Sequence, residues 1–446
     1  MNIRYQASTV LTRLLAHRGS LKSLLPQALE HCPSQDRPLL QQMCYGVLRD
    51  YYRLDAIAGA LLKRPFKATD QDLHALLLVG LYQLRSLRIP PHAAVNETVD
   101  AVGMLDKSWA RSLFNGVLRR YQRESESIEA GLADNEQFRW NHPDWFIGKL
   151  RGNWPEQWQA ILQANDCQAP MTLRVNKRKL TRERALELLH AESLDAQVLS
   201  LPDTALTLTT PCDTAKLPGF EQGYFSVQDQ AAQFADMLLA AETGDRVLDA
   251  CAAPGGKLCH LLEAHSDLGE VVAVEMEPSR IERMRDNLER LQLAHECKVE
   301  LGDASARDWW DGQPFDRILV DAPCSGSGVI RRNPDIKLLR RNEDIAELAR
   351  LQLNILQNLW GMLRPGGRLV YATCSVFPQE NERIIERFVK LHADACIQIP
   401  TLPDGLKRDT GIQLFPTQGG HDGFFYAVLT RASTDHAESD SDREAE

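Results

Sequence analysis

Arg246-Val-Leu-Asp-Ala-Cys-Ala-Ala-Pro-Gly-Gly-Lys257 carries the strongest structural signal in the chain. It reads as a short apolar strand, a tight turn of small residues and the first turn of a helix. Glycine lets backbone approach a ligand that a Cβ would exclude, and a helix start offers unpaired N–H groups. The stretch is therefore a nucleotide-binding loop. It is not a P-loop, because Leu258 follows Gly256-Lys257 and no glycine sits five positions before Gly256. Gly-x-Gly-x-x-Gly is absent as well, which disfavours a dinucleotide.

Downstream, strand and helix patterns alternate. Candidate strands are Arg246–Ala250, Val271–Glu275, Lys298–Leu301, Arg317–Asp321 and Arg368–Thr373, with helices over Ser279–Leu291 and Glu343–Met362. Arg364-Pro-Gly-Gly reads as a helix stop, Pro378-Gln-Glu-Asn as a helix start, and Gly423–Leu429 as a terminal strand. This is an open, mainly parallel sheet of the doubly wound kind, whose ligands sit beyond the carboxyl ends of the strands. Glu275 closes the second strand nineteen residues past Gly256, where such sheets place an acid for ribose hydroxyls. Asp303 follows the third strand and is placed for an adenine amino group. These two acids together with the Gly-rich loop predict an adenosine ligand with no phosphates to neutralise, such as S-adenosylmethionine.

The fourth strand ends in Asp321-Ala-Pro-Cys324 and the fifth in Thr373-Cys374. Strands one, four and five are neighbours in this topology, so two thiols and an aspartate are expected to converge beside the cofactor. One cysteine alone is most simply a small buried side chain. Two at the ends of adjacent strands predict chemistry. A pyrimidine C5 is a poor nucleophile until a thiolate adds at C6, and then it can attack an electrophilic methyl. A carboxylate such as Asp321 helps by supporting a proton at N3, a second thiol helps release, and the base must leave its stack.

Upstream of the loop the chain changes character. Residues 7–121 carry only helical periodicity, as in Leu73, Leu76, Leu77, Leu81 and Leu84. Residues 124–136 are acidic and weakly patterned and read as a linker. The segment after His142-Pro-Asp-Trp-Phe predicts a small α/β sandwich, with strands over Met171–Asn176, Ala196–Leu201 and Ala205–Leu208 and a helix over Arg182–His190. Between Arg174 and Arg184 lie six basic residues and one acid, either a solvated face or a phosphate-binding one. Arg331, Arg332 and Lys337, following the Cys324 loop, carry the same two readings.

The totals agree with a soluble, multidomain, cytoplasmic chain: 446 residues, 43% apolar and 25% charged, with no signal-like start and no long apolar run. Ten cysteines without a Cys-x-x-Cys pair argue against a zinc site or any other metal centre. The net charge of −10 conceals a basic front. Residues 1–124 hold seventeen Lys and Arg against ten Asp and Glu, whereas residues 432–446 hold six acids and one Arg and are expected to be disordered.

Several of these motifs resemble a known family. Leu39–Asp55, Ala94–Val99 and Ser112–Arg119 are similar to the all-helical, RNA-binding NusB family. Asp249-Ala-Cys-Ala-Ala-Pro-Gly-Gly-Lys257, Asp321-Ala-Pro-Cys-Ser325 and Thr373-Cys-Ser375 resemble the RsmB/NOP family of RNA cytosine-C5 methyltransferases. With Val329-Ile-Arg-Arg-Asn-Pro-Asp-Ile-Lys337 and the NusB-like front, the order of parts is similar to that family's bacterial 16S rRNA branch. The resemblance implies a multidomain chain: a NusB-like all-α domain (1–125), a linker (126–140), a small α/β, RRM-like domain (141–228), a Rossmann-like methyltransferase domain (229–431) and an acidic tail (432–446). It implies Cys374 as nucleophile and Cys324 as the release-assisting thiol. It implies S-adenosyl-L-methionine held by Cys251, Ala252, Ala253, Pro254, Gly255, Gly256, Lys257, Glu275, Asp303 and Asp321. RNA contacts would fall to Arg174, Lys177, Arg178, Arg331, Arg332 and Lys337. The expected substrate is cytosine 967 of 16S rRNA, and the expected state a monomer without a membrane partner. Glu275 departs from the family, where Asp is usual. The alternatives are the same chemistry on tRNA or another rRNA site, or a non-catalytic rRNA-binding assembly factor.

Overall fold

A computed structural model describes residues 2–433. The acidic tail expected over 432–446 lies almost wholly outside the described residues. The chain forms two compact units, Met1–Gln168 with Ile330–Asn342, and Ala169–Val329 with the rest from Glu343. No described helix is long and apolar enough to cross a membrane.

The first unit is all-helical. Its centre is Gln71–Ser86, where every residue from Ala75 to Gln83 is buried, as expected of a helix apolar nearly all round. Ile3–Leu15, Arg37–Arg49, Tyr51–Leu61, Pro91–Met104 and Arg111–Gly131 surround it, and their buried leucines and valines form one continuous core. The expected linker is helix instead. Arg111–Gly131 runs into it, a short turn follows, and Glu136–Trp140 takes up its far end. One of its acids is built into the packing: Glu129 accepts from Tyr121 Oη at 2.6 Å and pairs with Arg85 at 3.2 Å, and its neighbour Ile128 is buried. Helices Asp144–Asn153 and Trp158–Asp166 also belong to this unit.

The second unit holds two sheets. The small one comprises β1 (Met171–Val175), β2 (Ala196–Val198), β3 (Ala205–Leu208) and β4 (Phe225–Val227), all antiparallel in the order β2-β3-β1-β4. Leu173, Val175, Leu206 and Leu208 pack with Ala185 and Leu189 of helix Arg182–Ala191.

The large sheet contains β5 (Arg246–Ala250), β6 (Glu270–Glu275), β7 (Lys298–Leu301), β8 (Phe315–Asp321), β9 (Leu363–Thr373), β10 (Ala395–Gln398), β11 (Leu406–Arg408), β12 (Gly411–Leu414) and β13 (Phe424–Arg431). β9, β8, β5, β6 and β7 lie parallel in that order. The sequence thus placed strands one, four and five correctly side by side. Their near-continuous apolar runs, such as Val271–Val274 and Ile318–Val320, follow from burial on both faces. β13 closes on β9 antiparallel, and β12 and β10 share its other edge. The expected helix stop at Arg364-Pro-Gly-Gly lies inside β9. There the pairing with β8 jumps from Phe315↔Leu363 to Arg317↔Arg368, so the turn residues bulge out of the ladder.

Candidate active site

The loop after β5 is built for close backbone approach. Cys251 lies in the left-handed region at φ 61°, and Gly255 at φ 92° precedes helix Gly256–Ala264. A Cβ on Gly255 would meet Met284 Cγ at 2.9 Å in an already strained conformation. The loop is braced from behind: Ala252 N–H donates to Val274 O at 3.0 Å, and Asn287 Nδ2 to Pro254 O at 3.0 Å. Burial pushes the Cys251 thiol far up, with Glu275 and Asp321 adding to it, so this cysteine stays protonated.

Glu275, expected to reach ribose hydroxyls, is buried and its carboxylate is engaged by protein. Ala253, Met276 and Glu277 N–H donate to it at 3.3, 3.0 and 3.2 Å, and Arg280 pairs with it at 3.1 Å. A ribose contact requires exchange of one of these donors. Asp303 is more open. One oxygen receives Ser305 N–H and Oγ–H, both at 2.8 Å, and the other has no partner among the described residues.

The ends of β8 and β9 bring the expected groups together. Cys324 Sγ and Cys374 Sγ are 3.3 Å apart. Lys257 Nζ lies 2.6 Å from Asp321 Oδ2 and 5.2 Å from the centre of the Phe424 ring. Burial works against the Lys257 charge, but Asp321 above all, then Cys374 and Asp249, raise its pKa. The ammonium therefore persists and supplies positive charge near the Cys374 sulfur. Cys324 also retains its proton, because its hydrogen bond to Cys374, burial and the nearby Glu380 all raise its pKa.

Two groups escaped the sequence reading. The first is Glu380, read there only as part of a helix start. It is fully buried and gathers both cysteine loops: Ser325 N–H at 2.7 Å, Ser325 Oγ at 2.6 Å, Ser375 Oγ at 2.6 Å and Gln352 Nε2 at 3.3 Å. Ser325 follows Cys324 and Ser375 follows Cys374, so one carboxylate sets the spacing of the thiols. Its neighbour Asn381 extends the clamp through Thr373 Oγ1 and Ser375 O. Gly328 adds a backbone tie. Its N–H donates to Cys374 O at 2.9 Å, its carbonyl accepts from Gly423 N–H, and a Cβ there would lie 2.2 Å from Gly423 O.

The second is Asp249, the lone acid in β5. It is fully buried, and neither carboxylate oxygen finds a donor among the described residues. Burial first, then the charge of Asp321, push its pKa up to about 8, against a partial offset from Lys257. The folded chain thus keeps a proton that the unfolded chain releases near pH 4, and stability falls as pH rises between those values. Asp249→Asn removes this term. In ligand-free protein, the melting-temperature difference between variant and wild type is expected to move in the variant's favour from pH 5 to pH 8. A pH-independent difference means that Asp249 is ionised throughout.

Known proteins support one assignment. Residues 236–430 match a family model described as 16S rRNA methyltransferase RsmB/F. Residues 142–215 match a Methyltr_RsmF/B-like, ferredoxin-like domain, and residues 1–123 the NusB family. The ribosomal RNA small subunit methyltransferase B of Pseudomonas syringae pv. tomato is 49% identical over 439 residues, covering 97% of each chain. The chain belongs to the ribosomal RNA small subunit methyltransferase B family. The enzyme of that name from Vibrio cholerae is 45% identical over 97% of this chain and 98% of its own. The crystal structure of PH0851 shares the fold, with a TM-score of 0.79 at 22% identity over 97% of this chain and 99% of that one. NSun6 from Pyrococcus horikoshii, solved with SFG, shares it with a TM-score of 0.59 at 20% identity, over 65% and 98%.

In this rRNA methyltransferase several residues expected to bind RNA are structural. Arg174 is 1% exposed. It forms a two-pronged pair with Glu263, both contacts at 2.8 Å, and donates to Gln228 Oε1 and to Gly256 O. The strand β1 cation therefore anchors the helix Gly256–Ala264 that follows the β5 loop, and no surface is left for phosphate. Lys337 is equally enclosed, held by Asp166 at 2.7 Å and by the carbonyls of Arg49 and Asn141 at 3.0 Å. Arg331 is also buried, and Arg332 half-buried. Lys177 and Arg178 stay at the surface, paired with Asp203 and Glu296. Removing one partner of a buried ion pair strands the other charge. Arg174→Ala is accordingly expected to destabilise the enzyme by about 3–5 kcal/mol, read as a lower denaturant midpoint. An unchanged midpoint would show that Glu263 is rescued by solvent.

Proposed function

We propose that this rRNA methyltransferase transfers the methyl group of S-adenosyl-L-methionine to C5 of a cytosine in 16S rRNA, cytosine 967 by family resemblance, through a covalent Cys374–C6 adduct. The observation that carries the reading is the pair of thiols 3.3 Å apart at the ends of neighbouring parallel strands, beside the Asp321–Lys257 pair. The donor fits the site's donor set. Gly255, Gly256 and the open helix start allow close approach, and one oxygen of Asp303 and both of the buried Asp249 carboxyl find no partner among the described residues. When bound, it supplies an electrophilic methyl.

The chain's own residues do the rest. With Cys324 keeping its proton, the Cys374 thiolate is the group free to add to C6. Lys257 offsets that negative charge before attack. Asp321, held by Lys257, supports a proton on N3 and so draws electrons away from C6 as the bond forms. The electron pair that then collects at C5 takes the methyl. Loss of the C5 proton to water, with the N3 proton given back to Asp321, restores the ring double bond and expels the Cys374 sulfur as thiolate, which receives a hydrogen bond from the Cys324 thiol. Bisulfite sequencing of 16S rRNA from cells lacking the protein tests the assignment. One protected cytosine is expected to become convertible, and an unchanged profile overturns the reading.

A further inference from the structure

Trp109 is 61% exposed, unusual for an indole in a well-packed helical unit. It sits in the single-turn helix Ser108–Ala110, and its ring meets no other aromatic ring or cation among the described residues. The turn is held in place from one side. Lys107 Nζ reaches Thr69 O at 2.9 Å, Asp70 at 2.9 Å and Asp72 at 2.6 Å, stapling the Trp109 turn to the segment before helix Gln71–Ser86. Between the two lies Lys63-Arg-Pro-Phe-Lys67, an irregular stretch outside any helix. Together they enclose an open hollow of about 660 Å³ lined by Leu62, Lys63, Arg64, Phe66, Lys67 and Trp109.

The hollow's chemistry is specific. Phe66 is anchored inside against Phe114 and His74, which leaves Trp109 as the free aromatic face. Lys63, Arg64 and Lys67 are exposed and none pairs with a carboxylate among the described residues. The one acid in the lining, Asp70, is already neutralised by Lys107. An open aromatic face ringed by three unpaired cations suits a chain of alternating flat bases and phosphates better than any peptide surface.

We infer that this hollow is a single-strand RNA site of the helical unit, in which one unpaired base of the rRNA substrate stacks on Trp109 while its flanking phosphates meet Lys63, Arg64 and Lys67. The inference rests on the enzyme's action on rRNA but not on the chemistry proposed for the cysteines. It also accounts for part of the basic excess of residues 1–124.

Binding of the full chain to naked 16S rRNA, measured against salt concentration, tests it. Lys63→Ala/Arg64→Ala/Lys67→Ala is expected to lower the slope of log K against log[salt] by about 2, the release expected for three single-strand phosphate contacts. Trp109→Ala is expected to weaken binding roughly tenfold with the slope unchanged, and Trp109→Phe to restore most of it. At saturating rRNA the turnover rate and the methylated position stay as in wild type, which separates this site from the active site. Wild-type affinity and slope in both variants overturn the inference. So does a loss confined to assembled small subunits, which would mean that the hollow takes a protein.

Discussion

Cys374→Ala is expected to lower methyl transfer by about four orders of magnitude or more, the scale seen when an essential nucleophile is removed. Cys324→Ala is expected to leave a protein–RNA adduct that survives denaturing electrophoresis. The asymmetry follows from the environment of two otherwise similar thiols. Cys324 is held protonated by its bond to Cys374, by burial and by Glu380, whereas Cys374 faces the Lys257 ammonium. Without Cys374 nothing adds to C6 and C5 stays unreactive. Without Cys324 the addition proceeds, but the departing sulfur loses its donor 3.3 Å away, so release slows more than attack. An adduct formed through Cys324 in the Cys374→Ala enzyme would reverse the two roles. Full activity in Cys374→Ala would remove covalent catalysis altogether.

Glu380→Ala is expected to reduce turnover by about a hundredfold or more without touching a substrate atom. Its carboxylate is the common acceptor for Ser325 and Ser375, and small misplacement of reacting groups has penalties of that order. The alanine variant also leaves the buried Ser325 N–H without a partner, so its fold needs a control. Glu380→Gln provides one, since it keeps the shape and removes the charge. In a Cys374→Ala background, the pH midpoint for alkylation of Cys324 is expected to fall when Glu380 becomes Gln, because the negative charge that opposed ionisation has gone. A purely structural clamp would leave that midpoint in place. Turnover is expected to fall with the KM for rRNA little changed. A rise in KM alone would make Glu380 a residue of RNA binding.

Most of the doubly wound sheet was legible because its signals are local. Val247-Leu-Asp-Ala followed by small residues and glycine has few other ways to fold, and five apolar runs at βα spacing define the parallel core. β10, β11 and β12 were not foreseen. They are short and sit at the edge of the sheet, and β10 and β11 are partly exposed, so they carry little apolar alternation. The supposed linker misled for the opposite reason. Its acids look solvated in sequence, yet Glu129 is occupied by Tyr121 and Arg85, the latter forty-four positions away.

The active site divides along the same line. Cys324, Cys374, Asp321 and the Gly255-Gly256 loop are short motifs attached to strand ends, and topology alone brings strand ends together. Arg174, Arg331 and Lys337 looked like phosphate ligands because charge in a sequence carries no record of burial. Arg174 meets Glu263 eighty-nine residues later, and Lys337 meets Asp166 from the other side of the chain. Glu380 stood in plain view six residues after Cys374, but its meaning depends on Ser325, fifty-five residues before it.

The sequence by itself thus determined the parts and their chemical kinds, because strand, loop and helix signals act over a few residues. Which charges remain free, which carboxylate spaces the thiols and which aromatic ring stays bare emerge only once the chain is folded. Those outcomes depend on partners distant in the chain, whose desolvation and pairing have no local signature.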